Sequence, residues 1–167
     1  MSAYSDLYLV VDTISNNTKS LSDALVDLKF RTEKRLFGTA VEFHWKFQLE
    51  ELPEISHKII LQILRILQEA MSNSLKHANA ENICIVAVYI PNVELMISVS
   101  DDGRGMNEGA RTGSGLNNMK TRARNMSAEL VFRTREVGSE VTFRMPFDEK
   151  SRLALWASPR HTPPSNI

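Results

Sequence analysis

In Ile97-Ser98-Val99-Ser100-Asp101-Asp102-Gly103-Arg104-Gly105-Met106, an alternating apolar run meets an acid and then two glycines one residue apart. Ile97 and Val99 alternate with Ser98 and Ser100, the pattern of a half-buried strand ending at Asp101. Gly103 and Gly105 carry no Cβ atoms, so the backbone after the strand admits close approach of a planar ligand. A carboxylate held at the strand end can accept a hydrogen bond from an exocyclic amine, and the bare backbone leaves room for the ring. Taken alone, Asp-Gly marks a plain turn. Two other segments give it a different meaning.

The first is Gln68-Glu69-Ala70-Met71-Ser72-Asn73-Ser74-Leu75-Lys76-His77-Ala78. Ile60, Ile63, Leu64, Leu67, Met71, Leu75 and Ala78 recur at three- and four-residue steps, which predicts an amphipathic helix over 56–77. Glu69, Asn73 and Lys76 fall at i, i+4 and i+7 on another face, with His77 beside them. Ser72-Asn73-Ser74 weakens the helix locally. A solvated polar face is the ordinary meaning of such a set. Its chemistry goes further, because an acid, an amide oxygen, an ammonium and an imidazole together could hold a hydrated Mg²⁺ and the phosphates it bridges.

The second is Gly109-Ala110-Arg111-Thr112-Gly113-Ser114-Gly115-Leu116-Asn117-Asn118-Met119. Its glycines precede Leu116, Met119, Ala123 and Met126 at helical spacing. A Gly-rich segment feeding a helix N-terminus presents free backbone N–H groups and a positive dipole end to an anion. It is not a Walker A loop, since no Gly-Lys-Ser/Thr follows.

In this order and spacing the three segments resemble the nucleotide-binding boxes of the ATPase superfamily of gyrase, the ninety-kilodalton heat-shock chaperone, mismatch-repair proteins and sensor histidine kinases. Glu69-x-x-x-Asn73-x-x-Lys76-His77 is similar to the N box, Asp101-x-Gly103-x-Gly105 to the first glycine box, and Gly113-x-Gly115-Leu116 to the second. The match is closest to the ATP-binding catalytic domain of histidine kinases of the nitrate-sensor type. Their Gln-Glu-Ala-x-x-Asn-x-x-Lys-His-Ala, Asp-Asp-Gly-Arg-Gly and Gly-x-Gly-Leu-x-x-Met-x-x-Arg patterns all have counterparts here, the last running from Gly113 to Arg122. Gly138-Ser139-Glu140-Val141-Thr142-Phe143-Arg144-Met145-Pro146 resembles their terminal hairpin motif, and the likeness covers about residues 56–147.

The resemblance implies a site residue by residue. Asp101 would accept the adenine amino group, Asn73 and Glu69 would hold Mg²⁺, and Lys76 and His77 would face the phosphates and ribose. Gly103, Gly105, Met106, Gly113, Gly115 and Leu116 would shape the ATP pocket and its lid. Glu69 activates water in the hydrolysing relatives and more often assists the metal in kinases, so both roles stay open. Phosphoryl transfer rests mainly on positioning and charge neutralisation, which puts the weight on Asn73 and the lid. Two departures stand out. The lid between the glycine boxes is short, residues 107–112, and Asn125-Met126-Ser127-Ala128 replaces the Gly-Gly that often precedes the next strand.

A histidine kinase also needs a phosphoacceptor histidine on a dimerising helix, usually followed by an acid. The four histidines, His44, His57, His77 and His161, precede Trp45, Lys58, Ala78 and Thr162. The expectation is therefore a protein-histidine kinase catalytic domain without its acceptor, either excised from a longer sensor or acting on a partner. The resemblance implies two partners, a phosphoacceptor histidine domain in cis or in trans and a response regulator, and homodimerisation through the parent. A stand-alone anti-sigma-type serine/threonine kinase and a non-catalytic ATP-sensing module remain alternatives, with gyrase-like hydrolysis behind them.

Of the 167 residues, 20 are Lys or Arg and 20 are Asp or Glu, so charge offers no case for nucleic acid or an anionic membrane as partner. No secretory signal is read, and no apolar run approaches the roughly 20 residues that span a bilayer. A cytoplasmic domain is expected, with any membrane anchor elsewhere in a longer parent. Lone Cys84 reads as a small core residue within the strand 82–90.

Helices are expected at 6–14 and 21–36, and Val41, Phe43, Trp45, Phe47 and Leu49 alternate with polar residues as a strand with one wet face. Strands follow near 82–90 and 94–100 around Pro91-Asn92, with a hairpin near 129–133 and 140–145. This is an α+β chain, a two-layer sandwich with helices on one face of a mixed, mainly antiparallel sheet. The resemblance implies the same arrangement, the Bergerat-type ATP-binding fold. Residues 1–20 read as the end of a dimerisation helix or a linker, 21–147 as the ATPase-like domain, and 148–167 as a flexible, Pro-rich tail.

Overall fold

The computed structural model describes residues 20–105 and 114–147. Met106, residues 107–112 and Gly113 lie outside the described residues, as do the helix expected at 6–14 and the tail from 148.

Ser20 opens the first helix, α1 (Leu21–Leu36), by accepting the Asp23 backbone N–H at 3.1 Å and donating its hydroxyl to the Asp23 carboxylate at 2.8 Å. Strand β1 (Glu42–Gln48) follows, then α2 (His57–Asn73), which passes directly into a π-helical turn, Ser74–Ala78. Strands β2 (Asn82–Ile90) and β3 (Glu94–Asp101) form a hairpin around Pro91 and Asn92, with Asn92 at φ +60°. Helix α3 (Ser114–Arg124) and the hairpin β4 (Glu129–Thr134) and β5 (Ser139–Pro146) complete the fold. The sheet is five-stranded in the order β1-β2-β3-β5-β4, parallel between β1 and β2 and antiparallel elsewhere. The expected mixed, mainly antiparallel sandwich is what forms.

One face of the sheet is dry. Ile83, Ile85 and Ala87 of β2, Leu95, Ile97 and Val99 of β3, and Val141, Phe143 and Met145 of β5 are all buried. They pack with Leu25 and Leu28 of α1, Ile60, Leu64, Leu67 and Met71 of α2, and Leu116, Met119 and Ala123 of α3. On edge strand β1, Phe43, Trp45 and Phe47 are half-buried against this core, their rings 5.7 and 6.0 Å apart in succession. Cys84 corrects its expected place. Because side chains alternate along β2, Ile83 and Ile85 take the core face, and Cys84 lies half-buried on the other, opposite His44 and Ser100.

The helix expected to run uniformly to 77 changes pitch after Asn73. A π turn closes i→i+5 rings in place of i→i+4. Asn79, at φ +53°, ends it by sending its N–H back to the Ser74 carbonyl. At the junction where Asn125-Met126-Ser127-Ala128 stands in place of Gly-Gly, Ser127 takes φ +54°. The Ala128 N–H reaches the Ala123 carbonyl at 3.0 Å and the Ser127 N–H reaches Arg124 at 3.0 Å. That pair of bonds is a Schellman cap with a serine where glycine is usual, so the missing Gly-Gly leaves the turn intact.

Candidate functional site

Asp101 ends β3 at the point where the sheet, the π turn and the β4–β5 hairpin converge. Its residue is only 7% exposed, yet its carboxylate has four donors. Oδ1 accepts the Gly103 N–H at 3.0 Å and the Ser139 N–H at 3.2 Å. Oδ2 accepts the Ser74 hydroxyl at 2.9 Å and the Ser139 hydroxyl at 2.7 Å. A carboxylate buried this deeply is tolerated because its oxygens are hydrogen-bonded.

Two glycines make the convergence sterically possible. A Cβ on Gly103 would overlap the backbone of Ala78, whose carbonyl accepts the Arg104 N–H at 2.9 Å. A Cβ on Gly138 (φ +81°) would overlap the backbone carbonyl of Asp101 itself. Three chain segments thus meet backbone to backbone around one carboxylate.

Asp102 points elsewhere. It accepts the Glu81 and Asn82 N–H groups, each at 2.9 Å, and the Asn82 side-chain amide at 2.8 Å. These donors, the Asn82 backbone N–H foremost, hold its carboxyl below the usual 3.8 against an opposing effect of burial. It ties the strand end to the start of β2. Beside it a shallow polar depression is lined by Ala78, Asn79, Glu81, Asp102, Gly103 and Arg104.

On α2, Glu69 and Asn73 lie half-buried one turn apart, and Lys76 and His77 are exposed on the π turn. The wider turn delays the rotation of everything after Asn73. Lys76 therefore leaves the stripe that uniform α geometry would give it, and His77 turns toward it. The Glu69 carboxylate lies against Gly115 in the first turn of α3, where any Cβ would overlap it. Arg122 farther along α3 donates to the Gln62 side-chain oxygen of α2 at 2.6 Å. The residues expected from the N box, Asp101, Gly103 and Gly105 and Gly115 are therefore carried on adjoining elements. Leu116 differs in being a buried core residue, 6% exposed. Met106 and Gly113 fall outside the described residues.

Ser74, Ser139 and Gly138 join the expected residues at the site: the two serines touch the Asp101 carboxylate and Gly138 seats it. Their sequence signals are, for Ser74, a place inside the N-box segment and, for the others, the hairpin motif that the pair Gly138-Ser139 opens. Such a pair acquires meaning once register sets it beside Asp101. Among the described residues no cluster of three or more His, Cys, Asp or Glu side chains could hold a metal by themselves, and no helix is long and apolar enough to cross a membrane.

Residues 59–149 match the family model described as histidine kinase-, DNA gyrase B-, and HSP90-like ATPase. The nitrate/nitrite sensor protein NarQ of Escherichia coli is 32% identical over 98 residues, 56% of this chain and 17% of NarQ. The sensor histidine kinase LiaS of Bacillus subtilis is 27% identical over 143 residues, 84% of this chain and 38% of LiaS. The chain thus spans less than half the length of these relatives. Among solved structures, the histidine kinase domain of the Erythrobacter litoralis EL346 blue-light activated kinase superposes with a TM-score of 0.65 at 18% identity, covering 90% of this chain and 74% of that one. The Acinetobacter baumannii histidine kinase AdeS gives 0.62 at 13%, covering 88% and 76%. At these identities the structures speak for the fold.

Proposed function

The chain belongs to the histidine kinase-, DNA gyrase B- and HSP90-like ATPase family of ATP-binding domains, and on that premise we propose that it is the catalytic domain of a two-component sensor histidine kinase. It would pass the ATP γ-phosphoryl group to a histidine on a separate helical domain, from which a response-regulator aspartate takes it. A cytoplasmic location follows from that role. The observation that carries the nucleotide reading is the Asp101 carboxylate, buried at a strand end and framed by Gly103 and Gly138 backbone. A planar ring with an exocyclic amine fits such an edge, because the amine meets a fixed acceptor and the ring meets backbone rather than side chains.

The flanking residues fit the rest of a nucleotide. Asn73 and Glu69 offer an amide oxygen and a carboxylate one turn apart, suited to Mg²⁺, which when bound neutralises phosphate charge. Lys76 and His77, exposed on the π turn, supply donors to phosphate and ribose oxygens. The first turn of α3, with Gly115 at its start, directs backbone N–H groups toward the same region. Glu69 is better suited to assisting a metal than to acting as a base, since its carboxylate already abuts that turn.

The test is calorimetric titration of the full chain with a non-hydrolysable ATP analogue, with and without Mg²⁺, in the wild type and Asp101→Asn. Mg²⁺-sensitive binding that drops by roughly 1.5–3 kcal/mol in the variant is expected for a lost charge-assisted hydrogen bond. Equal affinity in both proteins would remove Asp101 from the site. Mixing the loaded chain with a candidate dimerisation domain should yield an acid-labile phosphoprotein, whereas an acid-stable one would indicate a serine/threonine kinase.

A further inference from the structure

We propose that Ser74 is a positioning residue that competes with the adenine amino group for Asp101, and so sets how sharply the pocket distinguishes a 6-amino purine from one lacking the amine. This rests on the nucleotide reading above and adds to it a residue at an unspecified position of the N box, directly after Asn73. A carboxylate offers about four lone-pair sites, and the four donors on Asp101 use that capacity. An incoming amine must therefore take the place of a donor already present.

The four are not equally replaceable. The Gly103 and Ser139 N–H groups are backbone, fixed by segments whose glycines press against Ala78 and Asp101. The Ser139 hydroxyl belongs to a residue already docked through its own N–H on the same carboxylate. Ser74 has a second acceptor within reach. Its Oγ lies 2.9 Å from Asp101 Oδ2 and 3.3 Å from the Ala70 carbonyl oxygen, one helical turn back. A small rotation of the hydroxyl moves the proton wholly onto Ala70, an ordinary position for serine in a helix, with no backbone shift.

That exchange has an energetic sign. The amine gains a hydrogen bond to a charged acceptor, while Ser74 gives up a charge-assisted bond for a neutral one of roughly half the strength. Asp101 is too buried for water to replace a missing donor freely. The wild-type pocket therefore binds a 6-amino purine less tightly than its acceptor would allow. Removing the hydroxyl relieves that competition. A ligand without the amine never displaces Ser74, so it should not sense the change.

Full-length chain carrying Ser74→Ala or Ser74→Cys would be titrated calorimetrically with ATP and with purine riboside triphosphate, in which hydrogen replaces the 6-amino group. Ser74→Ala is expected to tighten ATP about fivefold, the difference between a charge-assisted and a neutral hydrogen bond, and to leave the analogue unchanged. Ser74→Cys keeps the side-chain volume with a much weaker donor and should shift ATP the same way. Weaker ATP binding in both variants, an equal shift for both ligands, or unaltered selectivity would overturn the role of Ser74 while leaving the nucleotide site standing. A wild-type chain that binds neither ligand would overturn the nucleotide reading, and this inference with it.

Discussion

Gly138 and Gly38 adopt nearly the same backbone, φ +81° and +83°, in different surroundings. Alanine at either position meets a left-handed conformation that costs about 1–2 kcal/mol, partly offset by about 0.4–1 kcal/mol from a stiffer unfolded chain. Those effects are shared, and they cancel in the comparison. At Gly38 an added Cβ has nothing within 4 Å. At Gly138 it would overlap the carbonyl carbon and oxygen of Asp101 and stand 3.0 Å from Asp102 Cα. These are backbone atoms of a central strand, with no rotamer through which to yield. The start of β5 must back away, drawing the Ser139 N–H and hydroxyl off the Asp101 carboxylate. One such bond to a charged group is worth about 1.5–3 kcal/mol net. Gly138→Ala is therefore expected to lower the unfolding free energy by at least about 1.5 kcal/mol more than Gly38→Ala, counting only one of the two bonds as lost. Urea denaturation followed by circular dichroism measures this, provided the m-values agree. If the two variants fall within about 0.5 kcal/mol of each other, the usual spread for an unremarkable surface change, the backbone convergence at Asp101 is not structurally important.

Ser127→Gly removes the left-handed strain of the α3 cap and is expected to raise stability by about 0.5–1 kcal/mol; a lower urea midpoint would refute the Schellman assignment. Asp102, whose carboxyl is held below its ordinary value, contributes stability that is present above the unfolded value near 3.8 and is lost as pH falls through the lower folded one. Asp102→Asn should accordingly flatten the pH dependence of unfolding below about pH 4, and an unchanged acid limb would dismiss the Asn82 tie. At Gly115 the overlap is with the flexible end of Glu69, so Gly115→Ala should chiefly displace that carboxylate and weaken Mg²⁺-dependent nucleotide binding. In a Glu69→Ala background the same change should stabilise the fold by up to about 1 kcal/mol, because alanine is the better helix former. Destabilisation there would point to a clash other than Glu69.

Periodic segments were legible because burial imposes their period. Leu21, Ala24, Leu25 and Leu28 predict the helix that forms, and Ile83, Ile85 and Ala87 occupy the dry face of a strand with the expected bounds. The same alternation, followed strictly, would have put Cys84 on the opposite face; its apolar character alone misled. The pitch change after Asn73 was less accessible. Ser72-Asn73-Ser74 marks a weak helix but does not say whether it ends, kinks or widens; in the fold the widened turn brings Ala78 against Gly103 just past the end of β3. The tie of Ser74 and Ser139 to Asp101 is hidden in the sequence for a similar reason. They stand 27 and 38 positions from Asp101, and their meaning depends on strand register and a positive φ at Gly138. Motifs name the residues a ligand is expected to touch, whereas the donors that hold those residues come from tertiary structure.

That division has a thermodynamic consequence for the domain. Asp101 is both the proposed purine acceptor and the strut on which the π turn, the first glycine box and β5 close. Asp101→Asn would leave a single acceptor oxygen and turn an NH₂ group toward donors, so lost binding and lost stability should appear together. A ligand that binds only the folded chain stabilises it by RT ln(1 + [L]/Kd), about 2.7 kcal/mol at a hundredfold excess over Kd. Ser74→Ala separates the two properties. It removes one donor from the strut, which lowers the stability of the free domain, and frees a lone pair for the amine, which raises affinity. Denaturation midpoints of this variant should thus lie below the wild type without nucleotide and close on it, or pass it, as ATP is added. Parallel offsets at every ATP concentration would mean that Ser74 only supports the fold.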